Sequence, residues 1–260
     1  MTSTDTKRVL ITGAGSGLGA ALADAYQSRG ARVFATDRDP AGVGSRTHHL
    51  ALDITSPDDW SAARDWVERN WGGVDLLVNN AGIAGGGRLD VAGVDEWRTL
   101  FEINLFGMVA GLTEFVPLFK RQQSGRIVNV ASLAGFVHPG GMGAYNAVKA
   151  AVVALSETTG HELAEYGVGC SVVAPSYFQT NLMNDVAGAD SALTEVMRSL
   201  VEGSRLTAAD IAAAVVEGVE RGEEIIVPDD AARAAIALKA DDRAGYNAVM
   251  RRQAAKLNRQ

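Results

Sequence analysis

Cysteine is almost missing from this chain. Its 260 residues hold one, Cys170, which excludes a disulfide framework and leaves no cysteine pair for a zinc site. Histidine is scarce as well, with four copies. Two of them, His48 and His49, are neighbours on a strand and point to opposite faces, so no metal site is expected. Positive charge is in deficit: 24 basic residues against 31 acidic give a net charge of −7. Nucleic acid demands a basic stripe and an anionic membrane surface attracts one, so neither partner is expected. No run approaches 18 consecutive apolar residues, which argues against a spanning helix. Residues 1–8 are mostly polar, and only Val9-Leu10-Ile11 follow before Thr12-Gly13, too short an apolar region for a secretory signal. A cytoplasmic location is the resulting expectation. Length allows one large domain or two small ones; internal repeats and low-complexity linkers are missing too, and a single domain over 1–260 is expected.

What the chain does have is glycine, 29 of it, concentrated in particular turns, and short apolar runs alternating with helical patterns. Strands are expected at 8–11, 32–36, 49–52, 74–78, 126–131, 169–174 and 224–227. Helices are expected at 18–28, at 56–71 with Ser56 as cap and Pro57 at its first position, at 95–122 with interruptions at Gly107 and Pro117, and at 143–166 and 207–221. Strands that are nearly all apolar, separated by helices, indicate a parallel sheet covered on both faces. The fold class is therefore α/β, a doubly wound, Rossmann-like parallel sheet. The residues from Asp229 onward read as a polar, alanine-rich helix and tail without a chemical motif.

Between the first strand and the first helix lies Thr12-Gly13-Ala14-Gly15-Ser16-Gly17-Leu18-Gly19. A backbone without Cβ there lets a pyrophosphate reach the amides at a helix N-terminus, where the dipole favours an anion. Asp37 follows at the carboxyl end of the second strand, where it can accept hydrogen bonds from both adenosine ribose hydroxyls and repel a 2′-phosphate. This favours NAD over NADP; Arg38, immediately after, partly opposes that preference. Further along, Tyr145 and Lys149 stand four residues apart near the start of a helix and share one face. A phenol with an ordinary pKa of about 10 is a poor base at neutral pH, and a nearby ammonium favours the phenolate. Ser132 sits at the end of a strand, on the side of a parallel sheet where ligands bind.

With these residues in this order, the chain resembles the short-chain dehydrogenase/reductase family over about 8–227. Thr12-Gly13-(x3)-Gly17-Leu18-Gly19 matches that family's cofactor turn. Asp53, followed by Ile54, matches the acidic position placed against the adenine ring, and Asn79-Asn80-Ala81-Gly82 matches the motif that steadies the sheet and lines the cofactor. The resemblance implies a catalytic tetrad of Asn104, Ser132, Tyr145 and Lys149. Tyr145 would exchange the proton with the substrate oxygen, Ser132 would hold that oxygen, Lys149 would bind the nicotinamide ribose, and Asn104 would organise a proton-relay water. It also implies cofactor contacts from Gly13, Ser16, Gly17, Leu18, Gly19, Asp37, Arg38, Asp53, Ile54, Asn80, Ala81, Gly82, Pro175 and Thr180. One departure is Ser176, where many relatives carry glycine; a side chain there narrows substrate choice. Residues 180–205 take the place of the family's substrate lid, with Leu182, Met183, Val186, Leu193, Val196 and Met197 either packing on the sheet or facing substrate. Phe136 and Tyr177 suggest a hydrophobic secondary alcohol or ketone as substrate, and His138 is either a substrate contact or a solvent-facing loop residue. Assembly into a homodimer or homotetramer through helices 95–122 and 143–166 is implied as well. Two rival functions stay open: an NADP-dependent ketoreductase and a non-catalytic nucleotide-binding regulator.

Overall fold

Val9, Leu10 and Ile11 offer water no polar side chain, and all three are fully buried. They belong to β1 (Arg8–Thr12), a central strand. Val9 and Ile11 face one layer of core and Leu10 the other, as the two-residue period of a strand requires. In this computed structural model, which describes residues 6–43, 48–180 and 188–257, six more strands join it: β2 (Arg32–Asp37), β3 (His48–Ala51), β4 (Leu76–Asn79), β5 (Gly125–Val130), β6 (Val168–Val173) and β7 (Ile225–Ile226). All pair in parallel, in the order β3-β2-β1-β4-β5-β6-β7. The chain leaves β1 toward β2 on one side and returns to β4 on the other, so a crevice opens at the carboxyl ends of those strands.

Helices cover both faces. α1 (Gly17–Ser28) and α7 (Ala208–Glu220) pack Leu22, Tyr26, Val215 and Val216 on the face of Val9 and Ile11. α2 (Pro57–Trp71) contributes Trp60 and Val67 to the other face. Its start is held as expected, with the Ser56 hydroxyl accepting from the Asp59 amide at 3.3 Å and Pro57 at the first turn. The segment 95–122 departs from expectation. It runs as α3 (Val94–Phe101), a π-helical turn at Glu102–Phe106, and α4 (Gly107–Gln122). Neither Gly107 nor Pro117 breaks α4. Gly107 is needed for packing, since a Cβ there would lie 2.8 Å from Ile54 Cδ1. The helical stretch Val94–Gln122 contains an 18-residue window long and apolar enough to cross a membrane by length and composition; here Leu100, Leu112, Phe115 and Phe119 are buried within the protein.

α5 (Gly143–Leu163) lies against β6, and α6 (Ser191–Glu202) packs Leu193, Met197 and Val201 toward its first turn. The end of the chain holds a further correction. Residues after Asp229 form two helices, α8 (Asp230–Asp241) and α9 (Arg243–Leu257), and they fold back against the loop between Ser132 and Tyr145. The Tyr246 hydroxyl accepts the His138 amide at 3.0 Å, and the Lys239 ammonium donates to the Phe136 carbonyl. Gly140 and Gly141 make room for α9: a Cβ would lie 2.8 Å from the Ala254 Cβ in one case and 2.5 Å from Leu257 Cδ2 in the other.

Candidate active site

The crevice at the carboxyl ends of the strands is a cleft of about 790 Å³. At one end the glycine turn enters α1. Gly13 and Gly17 have φ of 64° and 52°, left-handed values that glycine adopts without strain. A Cβ on Gly13 would meet the Ala81 Cα at 2.8 Å, and one on Gly17 the Thr180 hydroxyl at 2.8 Å. Ser16, at the helix cap, makes no side-chain capping bond, so the first-turn amides and the positive end of the helix face the cleft. Asn80 locks this turn to β4, its amide donating to the Thr12 and Gly13 carbonyls at 2.9 and 3.2 Å. Asp37 closes the rim: its carboxylate accepts the Gly15 amide at 2.9 Å and the Asp39 amide at 3.1 Å. Asp53 stands nearby, its carboxylate held by the Thr55 amide and hydroxyl at 2.9 and 2.7 Å. Those bonds keep its carboxyl below the ordinary range, with Arg38 adding a smaller attraction. A bare-backbone cradle at a helix N-terminus, with a carboxylate beyond it, fits an adenine dinucleotide.

At the other end the side chains of β5 and α5 meet. Ser132 follows β5 at a point where the Leu133 amide donates to the Pro175 carbonyl at 2.9 Å, which seats it beside the segment leaving β6. Tyr145 and Lys149, one helical turn apart on α5, are 8% and 6% exposed. Burial pushes the Tyr145 phenol up to about 12, opposed by its hydrogen bond with Ser132. Burial pushes the Lys149 ammonium down to about 8. The ammonium donates to the Val130 carbonyl at 3.1 Å and stands 5.7 Å from the centre of the Tyr145 ring. Asn104 lies in the π turn, and its amide both accepts from the Ile83 N–H at 3.0 Å and donates to the Ile83 carbonyl at 3.1 Å. It backs the cleft wall: a Cβ on Gly82 would lie 2.5 Å from its Oδ1.

Most of the residues expected from sequence converge on this one cleft. Gly13, Ser16, Gly17, Leu18, Asp37, Arg38, Asp53, Ile54, Asn80, Ala81, Gly82, Ser132, Tyr145, Lys149, Pro175 and Thr180 all line it. Gly19 does not; it is pressed on the turn from behind, where a Cβ would sit 2.0 Å from the Gly13 carbonyl oxygen. Phe136 turns away from the cleft to pack near Met108 and Val152. His138 is exposed and faces the C-terminal helices, where burial and then the Lys239 charge lower its pKa. Val137, Pro139 and Met142 line the cleft in their place, joined by Met197 and Val201 of α6. Leu182, Met183 and Val186 lie outside the described residues. Asp229 is the residue that sequence reasoning missed: it is 5% exposed and accepts both the Ser176 amide at 3.0 Å and the Ala232 amide at 2.8 Å. An acidic residue just ahead of an alanine run is a helix-cap signal; nothing local says that its second oxygen reaches back to the cleft.

A family model for short chain dehydrogenases matches residues 7–190. The chain is 32% identical over 183 residues to a 3-oxoacyl-acyl-carrier-protein reductase of Vibrio cholerae, covering 68% of this chain and 75% of that one. It is also 32% identical over 202 residues to an NADP-dependent (R)-specific alcohol dehydrogenase of Lentilactobacillus kefiri, covering 73% and 80%. Among solved structures, a short chain dehydrogenase/reductase from Burkholderia phymatum in complex with NAD superposes with a TM-score of 0.85 at 30% identity, over 94% of this chain and 96% of that one.

Proposed function

Because the chain belongs to the short-chain dehydrogenase/reductase family, whose members here are NAD(P)-dependent oxidoreductases of CH–OH groups, we propose that it exchanges a hydride between NAD(H) and a hydrophobic secondary alcohol or ketone. The observation that carries this reading is the meeting of Ser132, Tyr145 and Lys149 on one cleft, with the two α5 side chains buried and the Lys149 ammonium 5.7 Å from the centre of the Tyr145 ring. Asp37 and Asp53 would hold the adenosine end of the cofactor, the amides of the glycine turn its pyrophosphate, and Lys149, Pro175 and Thr180 its nicotinamide end. Bound nicotinamide supplies the hydride. The chain's own residues handle the oxygen and its proton. Ser132 orients the carbonyl and stabilises the charge that develops on it. Tyr145, protonated at neutral pH, donates to that oxygen in reduction and takes the proton back in oxidation. Asn104 acts at one remove, holding Ile83 and backing Gly82.

The Asp37 carboxylate beside Gly15 supports NAD, because a 2′-phosphate there meets a like charge. Arg38, exposed at the same rim, supports the second reading, an NADP-dependent ketoreductase. Residues 180–205 act as the substrate lid, a role supported by Met197 and Val201, which face the cleft from α6. Fluorescence titration with NADH and NADPH, followed by turnover on a ketone panel, tests the whole reading. Tighter NADH binding is expected, with turnover lowered by at least about 10²-fold in Tyr145→Phe. Preference for NADPH would reverse the cofactor assignment, and an active Tyr145→Phe would remove the proton donor.

A further inference from the structure

Tyr177 carries a phenol that the reaction above does not use. It lines the cleft just past β6, and its ring packs in the apolar cluster of Met142, Tyr145, Leu193 and Met197. Among the described residues its hydroxyl finds one partner, the Met142 thioether at 3.7 Å. A thioether is a weak acceptor, and a phenol in largely apolar surroundings normally has an oxygen or nitrogen partner. The backbone that carries it is fixed from both sides. The Ser176 amide donates to the buried Asp229 carboxylate at 3.0 Å, and the Tyr177 carbonyl accepts the Ser204 hydroxyl at 2.9 Å. The backbone is thus held in place, and the hydroxyl's donor is spent only on a weak acceptor. Burial raises its pKa and keeps it protonated, and its proximity raises that of Tyr145. Both phenols line the same cleft and pack in one apolar cluster.

We propose that Tyr177 is a specificity-determining residue whose hydroxyl donates a hydrogen bond to a second oxygen of the substrate. The substrate class is then a ketone, or the matching carbinol, that bears a neutral ester, carbonyl or hydroxyl group besides the reacting oxygen. Neutrality follows from the apolar side chains around the ring, Met142, Leu193 and Met197, since a carboxylate desolvated among them costs far more than a neutral oxygen. This inference rests on the reading under Proposed function and narrows its substrate. Binding such an oxygen replaces the thioether contact with a proper hydrogen bond, while a plain alkanone leaves the phenol as it is.

The test compares kcat/KM for ethyl acetoacetate and ethyl levulinate, each against the straight-chain methyl ketone of equal length, in the wild type and in Tyr177→Phe. In the wild type, at least one ester is expected to exceed its alkanone by roughly three- to tenfold, the range of one neutral hydrogen bond. Tyr177→Phe is expected to bring that ratio close to one, with the thermal melt recorded alongside to show that the variant is folded. Met142→Leu, which removes the sulfur and leaves the phenol, is expected to keep the wild-type preference. An ester preference that survives in Tyr177→Phe, one lost in Met142→Leu, or a wild-type ratio of one for both pairs overturns the inference while leaving the enzyme reading intact. Failure of the wild type to reduce any ketone, ester or plain, overturns both.

Discussion

Burial moves the two ionisations at the proposed catalytic centre in opposite directions. The Tyr145 phenol rises to about 12 and the Lys149 ammonium falls to about 8. Tyr145 therefore holds its proton throughout the neutral range, which suits donation to a carbonyl. Alcohol oxidation needs the same group without its proton and so gains as pH climbs. Carbonyl reduction is expected to hold through the neutral range and fall only as pH approaches about 12, while oxidation rises over the same interval. Pairs of pH–rate profiles check this; oxidation that peaks below neutral pH contradicts it. Ser132, Tyr145 and Lys149 were legible in the sequence because their order and spacing match the family's motifs, and that resemblance implies the roles proposed for them. Phe136 and His138 were not, because a loop has no period to say which side chain turns inward. The cleft took Val137, Pro139 and Met142 from that loop instead.

Among the elements, α6 owes its place to a buried ion pair. The Asp190 side chain is fully buried. It accepts from Arg88 through the backbone amide at 3.0 Å and the guanidinium at 2.8 and 3.1 Å. It also caps α6 through the Leu193 amide at 3.2 Å. Burial by itself raises the Asp190 pKa, but the hydrogen bonds from Arg88 outweigh it and hold the carboxyl below its ordinary value. Because the folded value is depressed, this stabilisation is present above the unfolded pKa of about 3.9 and is lost as pH falls through the folded value. Asp190→Ala is expected to cost about 1 kcal/mol or more, since it uncaps α6 and removes the carboxylate that Arg88 pairs with. A thermal melt of the variant measures the loss, and an unchanged melting temperature contradicts it. The C-terminal helices work on the neighbouring loop. Tyr246 and Lys239 hold its backbone at His138 and Phe136, contacts between residues more than a hundred positions apart. No local pattern in an alanine-rich segment announces such a partner.

At the scale of the whole molecule, large apolar side chains remain in solvent beside α3, the π turn and α4. Leu89, Val94 and Phe106 are 80%, 65% and 54% exposed. They lie along one stretch of the chain, 89–106, and exposed apolar surface of this kind marks an interaction site. We expect this face to join copies of the chain into a homodimer or homotetramer. Light scattering on the purified protein should return the mass of two or four chains, and Phe106→Glu should shift it toward one. A monomeric wild type removes the expectation.

The sequence by itself determined the strands, the glycine turn and the side chains proposed to react. Runs such as Val9-Leu10-Ile11 can only be buried, glycines at 13 and 17 answer a local need of the backbone, and Tyr145 and Lys149 share a face through helical geometry alone. These are matters of near neighbours along the chain. The tertiary structure decided the rest. It set the strand order that opens the crevice between β1 and β4, and it placed a π turn at Glu102–Phe106 where Asn104 grips Ile83. It also brought Asp229 and the last two helices back to the cleft and left the Tyr177 hydroxyl against a sulfur. Each of these depends on contacts between segments far apart in the chain, whose free energies come from packing and hydrogen bonding in three dimensions and leave little trace in local pattern.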